Sequence, residues 1–197
     1  MTKRFTPEKI NELGENEVFV FGSNIQGEHV GGAAAFANKV FGAEMGCGFG
    51  FCNLKCNTYA IPTCIRVWDG TIRPFRVTKP FDNVNQIKPF VDAFISDAKH
   101  FKDYTFYVTK IGCGIAGFEI SEIAELFRPC LYMENVILPK EFIEWLLYPV
   151  VIDNLSKRGW KGGIDYDDDC VMAFVMNRIS ISSLDDILDV FEKLPNI

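Results

Sequence analysis

The chain has 197 residues, 48% hydrophobic and 23% charged, with a formal net charge of −6. That composition belongs to a globular protein with a sizeable core and excludes extensive disorder; its acidity argues against a nucleic-acid partner, which needs clustered Lys and Arg. No apolar run reaches the roughly 20 residues of a membrane span, and Lys3, Arg4, Glu8 and Lys9 stand where a secretory leader would be apolar, so no membrane partner and a cytoplasmic setting are expected.

In chain order, Val18, Phe19, Val20 and Phe21 form a short apolar β run ending at Gly22. Gly31, Gly32 and Ala33 then open an Ala-rich helix that Gly42 closes. Gly46, Gly48 and Gly50 mark a permissive stretch, and residues 58–61 read as a second buried strand stopped by Pro62. Ile87, Phe90, Val91, Phe94, Ile95, Ala98 and Phe101 share one face only if residues 87–101 are helical. A third strand over residues 104–109 runs into a glycine loop at residues 112–118, followed by a short helix with Ser121 as candidate N-cap. Residues 135–138 form a fourth strand, which Pro139 ends.

Apolar strands separated by helices describe an α/β fold with a mostly parallel sheet covered on both faces. From Glu141 onward the pattern is helical, over residues 141–158 and 184–194 around an acidic loop at 165–169. Residues 1–140 are therefore taken as the α/β core and 141–197 as a helical C-terminal extension packed on it, because roughly 55 residues hardly form a core alone.

Two glycine loops, one after the first strand and one after the third, should open on the same edge of a parallel sheet. Ligands of such sheets sit outside the carboxyl ends of the strands. Glycine lets backbone N–H groups approach an anion, and the helix start beyond each loop adds a favourable dipole. Neither loop carries the Gly-Lys-Ser/Thr ending of a P-loop or the dinucleotide fingerprint.

Phe19-Val20-Phe21-Gly22-Ser23-Asn24, His29-Val30-Gly31-Gly32-Ala33-Ala34, Tyr59-Ala60-Ile61-Pro62-Thr63 and Thr109-Lys110-Ile111-Gly112-Cys113-Gly114-Ile115-Ala116-Gly117-Phe118 occur in that order. Together they resemble the macrodomain family, more narrowly a macrodomain-like branch of bacteria and their phages. The resemblance covers about residues 17–138. It implies a three-layer α/β/α fold that binds ADP-ribose or a derivative, with no cofactor and no metal. By that resemblance Gly22, Ser23 and Asn24 lie at the site, Asn24 bonding a ribose hydroxyl, and Gly31, Gly32 and Ala33 form the first loop. Gly112, Cys113, Gly114, Ile115, Ala116 and Gly117 form the second, around the diphosphate, and Phe118 packs against the ligand.

Macrodomain hydrolases often carry an acid in the first loop, where this chain has Ala33, Ala34 and Ala35. Hydrolysis of an ADP-ribosyl bond would then need His29 or Glu28 as the base, with Asn24 orienting. The alternatives are a binder that sequesters an NAD-derived nucleotide signal, as a phage anti-defence protein would, and an RNA-binding or interaction protein using the basic rim around Arg66, Arg73, Arg76 and Lys79. Of the seven cysteines, Cys47, Cys52, Cys56 and Cys64 crowd one segment with no neighbouring His and read as reduced core or loop thiols, not zinc ligands. Cys113, between two glycines, is a weak candidate nucleophile with no adjacent base.

Overall fold

The computed structural model describes residues 5–68, 70 and 76–157. The expected helix at 184–194 and the acidic loop at 165–169 lie outside these residues. The elements are β1 (Glu17–Asn24), α1 (Gly32–Phe36) continued by a π-helical turn (Ala37–Phe41), β2 (Gly50–Phe51), β3 (Thr58–Trp68), β4 (Arg76–Pro80), α2 (Lys88–His100), β5 (Thr105–Val108), α3 (Ile120–Leu126), β6 (Val136–Ile137) and α4 (Lys140–Lys157).

β1 is central, with β3 parallel on one side and β5 parallel on the other; β6 continues the parallel set beyond β5. β2 and β4 are antiparallel to β3, and both lie on its outer edge because β1 occupies the inner one. The sheet is thus mostly parallel, as its apolar strands predict.

Successive β1 residues feed opposite layers. Val18 and Val20 join the larger apolar cluster with Tyr59, Phe106, α2, α3 and α4. Phe19 and Phe21 join the second with Ala34, Ala37 and Phe41. A strand that must bury both faces has no polar alternation, which is why this one reads as a continuous apolar run. The Tyr59 hydroxyl also donates to Asp97 at 2.7 Å, tying β3 to α2. Phe142, Ile143, Leu146 and Leu147 of α4 belong to the larger cluster, so the start of the C-terminal extension contributes to the core.

Four expectations change. Pro62 does not stop the second strand: β3 continues to Trp68, because its register against β1 skips Thr63 between Pro62 and Cys64. Such an irregularity is where a strand tolerates proline. The stretch of the basic rim, expected as a solvated loop, supplies a strand instead: residues 76–80 form β4, the return arm of a hairpin with β3. The N-cap of α3 is Glu119, not Ser121; its backbone N–H donates to the Glu122 carboxylate at 3.1 Å in a capping box. Cys47 and Cys52 are joined as a disulfide with their Cα atoms 5.4 Å apart; the chain doubles back over residues 44–52, where Glu44 N–H donates to the Cys52 carbonyl at 2.6 Å, and that brings them within bridging range. Cys56, Cys64, Cys113 and Cys130 are free.

Candidate functional site

The carboxyl ends of β1 and β5 and the middle of β3 open into a cleft of about 200 Å³ between the two glycine loops. Its walls include Gly22, Ser23 and Asn24 at the end of β1, Gly31, Gly32 and Ala33 where the first loop enters α1, and Gly112, Gly114, Ile115 and Ala116 from the second loop. Both loops thus meet on one sheet edge. Glu28, Thr63, Cys64, Thr78, Thr109 and Lys110 also line it. The sequence motifs contain Thr63, Thr109 and Lys110, and Cys64 reads there as a plain thiol, but apart from Glu28 none of these carries a site role in the sequence. Thr109 and Lys110 follow β5 directly, a signal that was available, whereas Thr78 reaches the cleft only because β4 folds back on β3.

The first loop is wired to the rest of the molecule. The Asn24 amide donates to the Glu28 carbonyl at 2.8 Å and accepts the Glu28 N–H at 3.0 Å. That use fixes the turn and leaves one N–H and one lone pair of the amide for a ligand. Ser23 is buried, and its hydroxyl donates to the Gly48 carbonyl. Arg66 Nε donates to the Glu28 carboxylate at 3.0 Å, so this described member of the basic rim is already neutralised. Gly31 caps α1 with no side-chain acceptor, leaving the first N–H groups of the helix to water or a ligand.

The second loop closes on itself. Gly117 N–H donates to the Gly114 carbonyl and Phe118 N–H to the Gly112 carbonyl, each at 3.0 Å. Gly112 and Gly117 have φ of +77° and +73°, which favours glycine. Ile115 is 66% exposed; its Cδ1 would meet a Cβ on Gly31 at 3.2 Å, so it reaches across to the other loop.

Four of the expected site residues lie elsewhere. His29 is buried beneath the first loop, its Nε2 3.0 Å from the Glu44 carbonyl and its ring edge-on to Phe21. A carbonyl only accepts, so Nε2 carries the proton, and Nδ1 is buried without a partner. Burial holds its pKa below the ordinary value, although the Glu44 and Cys47 backbone pulls the other way. Buried away from the cleft wall, it is poorly placed as a general base. Phe118 packs against the larger core cluster and not into the cleft. Cys113 and Gly117 are also outside the wall. Burial pushes the Cys113 thiol up to about 11, unsuited to a nucleophile at neutral pH.

A second cavity of about 760 Å³ adjoins the cleft and shares Gly32, Ala33, Thr109 and Lys110 with it. Its apolar lining includes Phe5, Ile10, Phe19, Phe36 and Val108; Glu8, Lys9, Lys140 and Glu141 supply its charges beside Lys110. One side is the segment before β1, strapped to the sheet by Thr6, which donates from N–H to the Leu138 carbonyl at 2.9 Å and from its hydroxyl to the Ile137 carbonyl at 2.7 Å. Nothing in the sequence signals this strap. The hydrogen bond from Lys110 Nζ to Glu141 Oε1, 2.7 Å long, raises the lysine pKa. Burial is the largest influence on Glu141 and tends to raise its pKa, but the Lys110 hydrogen bond, a backbone hydrogen bond and the Lys110 and Lys140 charges together turn the net shift downward.

Among the described residues no group of three or more His, Cys, Asp and Glu side chains is placed to hold a metal ion, and no helix is long and apolar enough to cross a membrane. Comparisons with protein-family models, curated proteins and solved structures found no match to this chain.

Proposed function

We propose that the chain is a macrodomain-like binder of an ADP-ribose-type nucleotide. The observation that carries this reading is the meeting of two glycine loops at the carboxyl ends of parallel strands, the place where open α/β sheets take ligands. The cleft by itself is small, but with the adjoining cavity it reaches the roughly 300–1,000 Å³ of small-molecule sites. In this reading the diphosphate lies against the uncapped start of α1 and the Gly114 turn, where backbone dipoles favour anions. The base enters the larger cavity over Phe19, Phe36 and Val108. The distal ribose faces Asn24 and Thr78, whose polar groups suit a vicinal diol.

Binding without turnover fits the residues better than hydrolysis. The acid in the cleft wall, Glu28, is held by Arg66, and His29 is turned away. A nucleotide signal would accordingly be held and sequestered. Calorimetry with ADP-ribose, NAD, AMP and IMP tests the reading, with ADP-ribose expected to bind most tightly. At 100 times its dissociation constant it should stabilise the fold by about 2.7 kcal/mol. A blank with all four nucleotides defeats the proposal. Release of ADP-ribose from an ADP-ribosylated peptide over hours would overturn the claim of no turnover and leave the binding site standing.

A further inference from the structure

We infer that Lys110 is the counter-cation for the ligand's phosphates and that Glu141 holds it in reserve, so that the pair selects ligands carrying a charged phosphate linkage where the two cavities meet. The inference rests on the nucleotide reading above.

Lys110 lines both cavities, and among the described residues it is the one cation in the wall of the glycine cleft. Apart from Glu28, which Arg66 engages, the rest of that wall offers backbone, hydroxyl, amide, thiol and apolar groups. A diphosphate carries more negative charge than the partial dipoles of a few backbone amides offset. A full positive charge at the junction supplies what the loops lack.

The geometry leaves that charge transferable. The Lys110 and Glu141 side chains are 51% and 42% exposed and meet at 2.7 Å, and an ion pair in such a position is held weakly. The flexible lysine stem lets the ammonium swing from carboxylate to phosphate without moving the backbone. The other charges lining the larger cavity are Glu8, Lys9 and Lys140. Lys140 is engaged by Glu144 at 3.3 Å, and Glu8 adds to the negative field that holds the Lys110 proton. A ligand must therefore outcompete Glu141 for the ammonium. A phosphate linkage does so, and a neutral nucleoside does not.

This predicts opposite effects from the two partners. The full chain and its Lys110→Met, Lys110→Arg and Glu141→Gln variants would be titrated calorimetrically with ADP-ribose, inorganic pyrophosphate and adenosine at low and physiological salt. Lys110→Met should weaken both phosphate compounds about tenfold and flatten the salt dependence of ADP-ribose binding. Lys110→Arg, which keeps the charge, should restore most of the loss, and Glu141→Gln should tighten both compounds about threefold. Adenosine should bind all four proteins alike. Phosphate binding unchanged in Lys110→Met overturns the inference. So does weakened binding in Glu141→Gln, which would mean that the carboxylate itself contacts the ligand. If Lys110→Met fails to fold, the sign of the Glu141→Gln effect decides alone. A wild-type blank with all three probes overturns the nucleotide reading together with this inference, whereas wild-type binding without the opposite responses overturns this inference only.

Discussion

Residues 22–33 are pinned by parts of the chain distant in sequence: Gly27 lies against the Gly46 and Cys47 backbone, Gly48 against the Asn24 and Ile25 carbonyls, and Glu28 in the Arg66 pair. Residues 112–118, on the opposite side of the cleft, are closed by hydrogen bonds within their own turn, and a Cβ at Gly114 or Gly117 would meet nothing within 4 Å. The first loop is thus part of the scaffold, and the second is a compact turn presented to the cleft. The glycines of the two loops have different physical causes: backbone-on-backbone packing at Gly27 in one, turn conformation and open access in the other.

The contrast breaks most visibly at Gly27. A Cβ there would overlap the Gly46 and Cys47 backbone, and φ is +65°, so Gly27→Ala should cost about 3 kcal/mol or more in urea unfolding. A smaller loss would show that the first loop is not fixed from outside. Gly114→Val sharpens the other side of the comparison. Its side chain would enter open space in the cleft wall, so stability should change by no more than about 0.5 kcal/mol, while ADP-ribose affinity should fall at least about tenfold, or 1.4 kcal/mol. Normal binding by a folded Gly114→Val protein would make the second loop a turn and nothing more.

The smallest effect concerns His29 as part of the scaffold. Its folded pKa lies below the ordinary 6.5, so below that pH the unfolded chain binds a proton that the folded chain refuses. The stability it contributes is complete above about pH 6.5 and is lost as pH falls through the lowered value, with a slope of at most about 1.4 kcal/mol per pH unit. His29→Gln, whose amide can still donate to the Glu44 carbonyl, should flatten that slope in denaturation curves between pH 5 and 7. An unchanged slope would assign the pH dependence to other groups.

Much of the fold was legible because its signals are local. Val18 and Val20 alternate with Phe19 and Phe21 in a strand buried on both faces, and the apolar spacing from Ile87 to Ala98 marks one side of α2. Phe90 and Phe101 belong to the same periodicity yet stay outside the buried set, Phe101 at 37% exposure beyond the last turn. The positions of Gly31, Gly32, Gly112 and Gly114 follow from strand–loop–helix order, since a parallel sheet puts both loops at one edge. Phe118 and His29 misled for a shared reason. An aromatic or imidazole side chain beside a glycine loop can turn to the ligand or to the core, and only the packing beneath the loop chooses.

The sequence by itself determined the α/β alternation, the apolar strands and the two glycine loops, because periodicity and backbone permissiveness are properties of neighbouring residues. Tertiary structure alone decided that Thr78 reaches the cleft, that Lys110 meets Glu141 across 31 positions, that the segment before β1 walls a second cavity, and that His29 faces Glu44. Each of these depends on strand register or on where a distant segment comes to rest, and the free energy that settles it is the burial and hydrogen bonding of the assembled molecule, not any preference carried by a short stretch of chain.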